Sequence, residues 1–328
     1  MRIRIGILGY GNLGRGVEAA ITQNPDTVLV AVFTRRAPDS IQLSTKNVPV
    51  LSIDSLLDFK NEIDVLILCG GSATDLPEMT PKFARHFNVV DSFDHHAQIP
   101  QHFAKVSEAA TAGGKLALIS AGWDPGLFSL ARLYANAILP NGNSVTFWGP
   151  GVSQGHSDAV RRIPGVIDAR QYTIPQETAI QVAKNGTGNT LTTREKHLRR
   201  CYVVVAEDAD KALITKTIKE MPDYFAEYDT EVHFITAAQM QKDHSSLPHG
   251  GTVVHAGVTG LAQEHSQSIS YTLQLASNPE FTANVLLASA RAVAKMHQRG
   301  KTGACSLFDV APADLSPKSN TELISTLL

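Results

Sequence analysis

Two short segments place carboxylates and an aromatic side chain directly after apolar runs of the kind that form buried strands. Residues 91–94 read DSFD and follow the run that begins at Asn88, and residues 120–126 read SAGWDPG and follow Lys115–Ile119. Paired carboxylates suit the binding of a cationic group such as an ammonium, and a carboxylate can also accept a proton from it. Asp94 and Asp124 are therefore candidate catalytic residues, with helix capping or turn bonding as the structural alternative for each.

A glycine-rich segment near the N-terminus predicts a site for the phosphates of a dinucleotide. Residues 9–14 read GYGNLG, follow the apolar run Ile3–Leu8 and open a helical stretch. In this pattern Gly9 permits the tight turn, Gly11 lets the backbone approach a pyrophosphate, and Gly14 allows close packing of helix on strand. The helix N-terminus adds free N–H groups and the positive end of the helix dipole. A glycine-rich turn without a ligand is the alternative.

The end of the second predicted strand indicates which dinucleotide binds. Val28–Phe33 is followed by Thr34, Arg35 and Arg36, where an NAD-binding site would carry an acidic residue for the ribose hydroxyls. A guanidinium binds a phosphate well, so the two arginines favour NADP, with Thr34 donating a hydrogen bond to the 2′-phosphate. Two solvent-exposed arginines without a ligand are the alternative.

A parallel sheet must position these segments, because strands and helices alternate over the first part of the chain. In an open parallel sheet, ligands bind beyond the carboxyl ends of the strands, which is where the glycine-rich loop and both Asp segments fall. The predicted strands are Ile3–Leu8, Val28–Phe33, Asp64–Cys69, Asn88–Asp91 and Lys115–Ile119, and the predicted helices run from the glycine-rich loop to about Gln23 and over Ile53–Phe59, Thr80–His86 and His102–Ala112.

The pattern changes after Pro125. A helix over residues 126–139 is followed by several β-like segments with one clear helix between them, near Lys211–Lys219, which favours a mixed or antiparallel sheet. A long helix over Phe281–Arg299 is expected to return and pack on the first domain. The predicted fold class is α/β, with a Rossmann-type parallel-sheet dinucleotide domain (residues 1–124 with 280–328) and a mixed α+β second domain (residues 125–279).

Composition excludes several classes of partner. The 328 residues carry 29 basic and 31 acidic side chains, for a net charge of −2, which gives no indication of a nucleic-acid partner. No apolar run is long enough to span a membrane and no signal-peptide pattern is present, so a cytoplasmic location is expected. The basic cluster Arg194–Arg200 is interpreted as a solvated helix face.

Cysteine and histidine spacing does not predict a metal site. The three cysteines lie far apart in the sequence, and His95 and His96 lack the spacing that places two ligands on one helix face. Cys69 ends an apolar run, so a buried structural thiol is favoured over a nucleophile.

Several strings, in order along nearly the whole chain, resemble the meso-diaminopimelate D-dehydrogenase family. The longest is FWGPGVSQGHSDAVRRIPG at residues 147–165, and shorter ones are ILGYGNLG, TRRA, GSATD, SAGWDPG, MPDYF, LPHGG and NPEF. The resemblance implies a reversible reaction in lysine biosynthesis, in which NADP⁺ oxidises the D-configured amino centre of meso-2,6-diaminopimelate. The products are L-2-amino-6-oxopimelate, which cyclises to tetrahydrodipicolinate, ammonia and NADPH. The resemblance also implies a homodimer, with substrate binding and dimerisation assigned to the second domain.

The resemblance also assigns roles to individual residues. Asp94 and Asp124 are expected to hold the reacting D-amino group, with Asp124 as the first candidate for proton acceptor. Cofactor contacts are expected from Gly9, Tyr10, Gly11, Asn12, Leu13, Gly14, Thr34, Arg35, Arg36, Cys69, Gly70, Gly71, Ser72, Ser92, Phe93, Asp94, Ala121, Gly122, Trp123, Asp124 and Pro125. Further substrate contacts are expected from Trp123, Trp148, Gln154 and Gly155 around the pocket, and from Thr173, Arg199, His249 and Asn278 at the distal L-amino acid end.

Two other functions remain open at this point. One is another NADP-dependent reductase of two domains, such as a dihydrodipicolinate reductase or a homoserine dehydrogenase. The other is a non-enzymatic NADP(H)-sensing protein, although a sensor would have no need of the two Asp residues.

Overall fold

A computed structural model describes residues 2–328, apart from the side chain of residue 189, and divides them into two compact units. The first unit contains the chain up to Leu130 together with Pro279–Leu328, and the second unit is Ala131–Asn278. Residue 1, which the predicted dinucleotide domain includes, lies outside the described residues.

The first unit is built on a seven-stranded sheet in which every pair of neighbouring strands is parallel. Its strands lie in the order 14-6-5-4-1-2-3, so the order reverses between the first and fourth strands, where Rossmann-type sheets bind dinucleotides. The strands are β1 (Ile3–Leu8), β2 (Thr27–Thr34), β3 (Val50–Ser52), β4 (Val65–Leu68), β5 (Val89–Val90), β6 (Leu116–Leu118), β7 (Asn143–Trp148), β8 (Gly151–Val152), β9 (Val166–Pro175), β10 (His197–Val205), β11 (Asp229–Phe234), β12 (His249–Thr259), β13 (His265–Leu275) and β14 (Gly303–Cys305).

Helices cover this sheet, which explains why its central strands are apolar throughout. All four residues of β4 are buried, as expected for a parallel strand with both faces covered. The helices are α1 (Asn12–Thr22), α2 (Leu76–Ala84), α3 (Ile99–Ala112), α4 (Leu127–Ile138), α5 (Gln154–Arg161), α6 (Glu177–Lys184), α7 (Thr193–Lys196), α8 (Lys211–Lys219), α9 (Ala237–Asp243), α10 (Asn278–Gln298) and α11 (Asn320–Leu327), and the segment Ile53–Phe59 forms a 3₁₀ helix.

The long helix α10 returns to the first unit, as the sequence predicts. Its residues Ala283, Leu286, Leu287 and Ala290 belong to the same buried cluster as the side chains of β1 and β4. The chain that follows α10 contributes β14, which pairs with β6 at one edge of the sheet. The C-terminal segment is therefore an integral part of the dinucleotide fold.

The second unit contains two smaller sheets. Strands β8 to β11 form a mixed sheet in the order 11-10-9-8, and β7, β12 and β13 form an antiparallel sheet in the order 13-12-7. The predicted α/β fold class, with a Rossmann-type sheet and a mixed α+β part, is confirmed. The expectation of a single clear helix among these strands is wrong, because α5, α6, α7 and α9 also interrupt them.

The interpretation of Arg194–Arg200 as a solvated helix face is also wrong. Only Thr193–Lys196 is helical, and β10 begins at His197. Alternation along β10 then turns His197 and Arg199 inward, where both are buried. A buried arginine in a strand requires a specific polar environment, which the second unit provides.

Among the residues that the structure describes, no helix is both long and apolar enough to cross a membrane. Within the same residues, the side chains of His, Cys, Asp and Glu form no group of three or more that could hold a metal ion.

Candidate active site

The glycine-rich loop has the geometry that a pyrophosphate requires. Gly9 lies at the end of β1 with a φ of +96°, and a Cβ added there would lie 3.0 Å from the carbonyl oxygen of Cys69. A Cβ added at Gly14 would overlap the carbonyl oxygen of Gly9. By contrast, a Cβ on Gly11 would meet nothing within 4 Å, so the first turn of α1 borders open space.

The N-terminus of α1 suits an anion. No side chain caps it at Gly11, and its first turn contains no acidic residue. The first N–H groups of α1 and the positive end of its dipole therefore face the open space above Gly11. This loop fits the diphosphate of a dinucleotide.

Tyr10 contributes only its main chain to this loop. The Tyr10 hydroxyl donates a short hydrogen bond to the buried carboxylate of Glu18, which also accepts the N–H of Thr45 at 2.6 Å. Burial and the neighbouring carboxylate raise the pKa of Tyr10. The sequence predicts a cofactor contact from Tyr10 but not its side-chain partner Glu18, which lies two turns along α1.

The predicted 2′-phosphate residues lie together at the end of β2. Thr34 is buried, and its hydroxyl accepts the N–H of Arg36 at 3.0 Å. The Arg36 guanidinium donates to the carbonyl of Tyr10, and the guanidinium of Arg35 lies 2.8 Å from the carboxylate of Asp75. Both arginines are exposed, so two cationic groups stand beside the glycine-rich loop.

Asp75 is a residue that sequence reasoning missed, although it lies in the string GSATD. Its second carboxylate oxygen accepts the N–H of Gly71 at 2.8 Å. Asp75 therefore joins the loop after β4, where Gly70 to Ser72 are predicted to contact the cofactor, to Arg35 at the end of β2. In a neighbouring part of this loop, burial raises the pKa of the Cys69 thiol, which disfavours the thiolate and favours a structural role for Cys69.

The loop that carries Asp94 is tied to the loop after β4. The N–H of Asp94 donates to the hydroxyl of Ser72 at 2.9 Å, and the Asp94 side chain is exposed. The following 3₁₀ helix is capped at His95, without a side-chain hydrogen bond. The structure therefore does not support the helix-capping alternative for Asp94. The ring of Phe93 points inward and is fully buried, so only its main chain is available for a cofactor contact.

The loop SAGWDPG closes tightly on itself. Trp123 is 8% exposed and packs edge-on against Phe128, with the ring centroids 5.4 Å apart. The N–H of Phe128 donates to the carbonyl of Trp123 at 2.8 Å, and Gly126 has a φ of +131° that suits glycine. The Asp124–Pro125 peptide bond is cis. The half-buried Asp124 thus lies in a well-packed turn at the carboxyl end of β6.

Arg199 is the central polar residue of the second unit. It is 7% exposed, and its guanidinium donates a short hydrogen bond to the hydroxyl of Thr173, its register partner on β9. The guanidinium carbon lies 3.9 Å from the ring centroid of Tyr228, and burial lowers the pKa of Arg199. Among the described residues, no carboxylate lies within ion-pair distance of Arg199, and its Nε has no hydrogen-bond partner. A buried cation of this kind is a strong site for an anion.

Three histidines of the second unit lie close enough to Arg199 for its charge to lower their pKa values. Burial, followed by the positive charge of Arg199, lowers the pKa of His156 to about 4 and of His197 to about 3, and the same two causes lower the pKa of His249. The three side chains can therefore act as neutral hydrogen-bonding groups near a bound anion. His156 and His197 were not predicted from the sequence.

His197 positions Trp148 at the end of β7. The N–H of Trp148 donates to Nε2 of His197 at 2.9 Å, and the two rings stack with centroids 5.6 Å apart. Trp148 is half-exposed, which is consistent with a predicted wall residue. Gln154 and Gly155 form the exposed first turn of α5, and a Cβ on Gly155 would meet nothing within 4 Å.

His249 and Asn278 lie where neighbouring segments meet. His249 is the half-buried first residue of β12, and its Cα lies against Gly151. Gly151 in turn pairs with Thr173, which connects His249 to the surroundings of Arg199. Asn278 donates its N–H to the carbonyl of Leu247 at 3.0 Å.

A Rossmann-type sheet with an open glycine-rich loop and adjacent arginines indicates a dinucleotide-binding protein, and the carboxylates beyond its strands favour a dinucleotide-dependent oxidoreductase. Comparison with known proteins identifies the family to which the chain belongs. A sequence profile described as "Diaminopimelic acid dehydrogenase C-terminal domain" matches residues 122–277. The meso-diaminopimelate D-dehydrogenase of Acetivibrio thermocellus is 54% identical over 327 residues, covering 100% of this chain and 98% of that protein. The chain belongs to the meso-diaminopimelate D-dehydrogenase family.

Solved structures agree with this assignment. A crystal structure of the Corynebacterium glutamicum DAP dehydrogenase in complex with DAP has a TM-score of 0.91 at 47% identity, covering 100% of this chain and 99% of that one. An engineered D-amino acid dehydrogenase bound to NADP⁺ has a TM-score of 0.87 at 45% identity, covering 100% of both chains. The predicted family is confirmed, and the alternatives of a dihydrodipicolinate reductase, a homoserine dehydrogenase and a sensing protein are set aside.

Proposed function

We infer that the protein catalyses the NADP-dependent oxidative deamination of the D-centre of meso-2,6-diaminopimelate. The amino acid, NADP⁺ and water give L-2-amino-6-oxopimelate, ammonium, NADPH and a proton, and the reaction is reversible. The product cyclises to tetrahydrodipicolinate, which places the enzyme in lysine biosynthesis. The observation that carries this inference is the family membership over the full length, together with a buried Arg199 that lacks an acidic partner. A free carboxylate on the substrate supplies the missing charge.

The residues of the first unit fit NADP. The open N-terminus of α1, from Gly11 to Leu13, would bind the diphosphate, and Arg35 and Arg36 with Thr34 would bind the 2′-phosphate. Gly70 to Ser72 are small enough to let the nicotinamide-side ribose pass close to the backbone. When bound, NADP⁺ supplies the hydride acceptor for the α-carbon of the D-centre.

The two carboxylates of the first unit handle the reacting amino group. Asp94 and Asp124 bind the D-ammonium, which must lose a proton before its α-carbon can be oxidised. Asp124 is the first candidate for the acceptor of that proton, and Asp94 is the second. Oxidation leaves an iminium carbon, and attack by water at this carbon releases ammonia and forms the ketone. Trp123 and Trp148 supply apolar surface that limits the access of other water.

The polar residues of the second unit bind the distal L-amino acid end. Arg199 binds the distal carboxylate, and the Thr173 hydroxyl adds a hydrogen bond to it. His249 and Asn278 bind the distal amino group and the remaining carboxylate oxygen, and the first turn of α5 (Gln154 and Gly155) contributes backbone contacts. Because both ends of the substrate are held, only one α-carbon can be presented for oxidation.

The same family relationship supports a homodimer in the cytoplasm, with the second unit as the dimerisation unit. Light scattering measured together with size-exclusion chromatography tests the dimer directly. A mass near 35.3 kDa instead of twice that value would contradict it.

A substrate survey tests the function. NADPH formation should be measured by absorbance with meso-diaminopimelate, its L,L isomer, D-alanine and D-lysine, each with NADP⁺ and with NAD⁺. We expect rapid turnover with meso-diaminopimelate and NADP⁺, none with the L,L isomer, and poor turnover with D-alanine, which leaves the distal polar groups unpaired. Absence of NADPH formation with meso-diaminopimelate would refute the assignment.

A further inference from the structure

Asp91, which directly follows β5, is fully buried and accepts four hydrogen bonds through its two carboxylate oxygens. Oδ1 accepts the backbone N–H of Phe93 at 3.1 Å and of Ser120 at 2.8 Å. Oδ2 accepts from Thr80 Oγ1 at 2.8 Å and from His102 Nε2 at 2.8 Å. The function described above uses none of these side-chain contacts, although Asp91 lies within the first unit at the edge of its cofactor site.

The two backbone donors belong to the loops that carry the candidate catalytic carboxylates. One donor is the N–H of Phe93, the residue immediately before Asp94. The other is the N–H of Ser120, which opens the loop that contains Asp124. The main chain of Asp91 adds a third connection, because its carbonyl accepts the N–H of Ala121 at 2.9 Å. A single residue therefore fixes both loops to the same point of the sheet edge.

Ser120 shows why this fixing matters. Its φ of +56° lies in the left-handed region that side chains disfavour, so neighbouring contacts must hold it there. Its hydroxyl is buried and has no hydrogen-bond partner among the residues described. The hydrogen bond from its N–H to the Asp91 carboxylate, together with the one from the Ala121 N–H to the Asp91 carbonyl, therefore secures the start of the loop with Trp123 and Asp124.

The other two donors fix the orientation of the carboxylate itself. Thr80 on α2 and His102 on α3 are both buried and bind the same oxygen, Oδ2, which leaves Oδ1 directed at the two loops. A carboxylate only accepts hydrogen bonds, so His102 donates through Nε2. The ring of His102 also stacks on Phe93, with centroids 4.2 Å apart and planes 21° apart.

We propose that Asp91, oriented by Thr80 and His102, is a positioning residue that holds the Asp94 and Asp124 loops at the spacing the reaction requires. The proposal rests on the function proposed above, because it assigns the two loops to the reacting amino group. Displacement of a reacting group by about 1 Å can reduce a rate about 10²-fold, so loss of this anchor should affect turnover more than cofactor affinity. The glycine-rich loop and both arginines make no side-chain contact with Asp91.

Four variants separate positioning from general stability. Asp91→Ala removes all four hydrogen bonds. Asp91→Asn is the matched control, because its amide oxygen can still accept both loop N–H groups, while Thr80 and a changed His102 tautomer can accept from its NH₂ group. Thr80→Val and His102→Leu keep Asp91 but remove one donor to Oδ2 each. For all four, kcat and KM for meso-diaminopimelate, the Kd for NADP⁺ and the melting temperature should be compared with the parent.

We expect kcat of Asp91→Ala to fall about 10²-fold, with a Kd for NADP⁺ within about threefold of the parent value. Asp91→Asn should recover most of the lost turnover, and Thr80→Val and His102→Leu should lower kcat by about tenfold each. If Asp91→Ala does not fold, the kcat values of Thr80→Val and His102→Leu test the proposal instead. Three results would each overturn the proposal. The first is a normal kcat in folded Thr80→Val and His102→Leu, and the second is a loss of NADP⁺ affinity as large as the loss of kcat. The third is an equal loss of kcat in Asp91→Asn and Asp91→Ala.

A fluorescence measurement keeps this test independent of the reaction. In a Trp148→Phe background, Trp123 is the only tryptophan and reports on the loop that Ser120 opens. Asp91→Ala should red-shift its emission and increase its quenching by acrylamide, whereas Asp91→Asn should leave both unchanged. Unchanged emission and quenching in Asp91→Ala would refute the anchoring role. An inactive parent protein would refute the proposed function while this measurement still decided the role of Asp91.

Discussion

Replacement of Arg199 by methionine should separate substrate recognition from stability, because the two effects have opposite signs. Arg199 is 7% exposed, lacks a carboxylate partner among the described residues, and has a pKa lowered by burial. The fold therefore bears the desolvation cost of a buried charge, which the Thr173 hydroxyl and the Tyr228 ring offset in part and a bound anion offsets further. Methionine has a similar length and no charge, so Arg199→Met should leave the melting temperature unchanged or raise it.

The same substitution should greatly weaken the use of meso-diaminopimelate. Loss of one partner from a close, buried charge pair costs on the order of 2–5 kcal/mol. At about 1.4 kcal/mol for each factor of ten, kcat/KM should fall about 30-fold to several thousand-fold. D-alanine has no distal carboxylate, so its low activity should change by less than about threefold, because no contact with Arg199 is lost.

The assay is NADPH formation with both substrates, measured for the parent, Arg199→Met and a control on the same strand. Arg200→Met is that control, since Arg200 is the next residue of β10, lies on the opposite face, and pairs with Glu231 at 2.5 Å. It should alter neither activity. If Arg199→Met lowered both activities by the same factor and also lowered the melting temperature, Arg199 would be structural and another residue would bind the distal carboxylate.

Three further predictions follow from the other parts of the site. Arg35→Ala combined with Arg36→Ala should raise KM for NADP⁺ strongly and leave NAD⁺ little changed, as steady-state kinetics with both cofactors will show; equal use of NADP⁺ by parent and variant would contradict the phosphate assignment. Asp94→Ala and Asp124→Ala should each lower kcat severely while NADP⁺ still binds in a fluorescence titration, whereas reduced melting temperature with normal kcat would indicate a capping role. Because burial lowers the pKa of His197 to about 3, the unfolded chain takes up its proton first, and stability should fall as pH drops below 6.5. As pH falls from 6.5 to 5, the slope from this one group rises from about 0.7 to about 1.4 kcal/mol per pH unit, and His197→Phe should remove it in urea unfolding over that range.

The sequence predicts the first unit well because its signals are local. β1 and the 3₁₀ helix at Ile53–Phe59 have the predicted bounds, because apolar residues mark both and Gly9 directly follows β1. The strands β3 and β14 were not predicted; each has only three residues, and the partner of β14, β6, lies far away in the sequence.

The site divides in the same way. The glycines after β1 and the arginines after β2 follow motifs with fixed spacing, so the sequence alone predicts their role in cofactor binding. The surroundings of Arg199 depend on strand register, which places Thr173 opposite it and turns it inward, and no short pattern encodes that register. Asp91 is the extreme case, because its four partners lie between residues 80 and 120 and meet only in the folded sheet.

Because the chain returns to the first sheet as β14, the two units can complete their folding at different times during synthesis on the ribosome. The second unit, Ala131–Asn278, has been translated by the time that the first residue of α10 has been added. The dinucleotide fold lacks the core side chains of α10 and the edge strand β14 until the chain beyond the second unit has been translated. A nascent chain can therefore complete its middle segment first, and a truncation before Gly303 should leave a protein whose nucleotide-binding fold is unfinished.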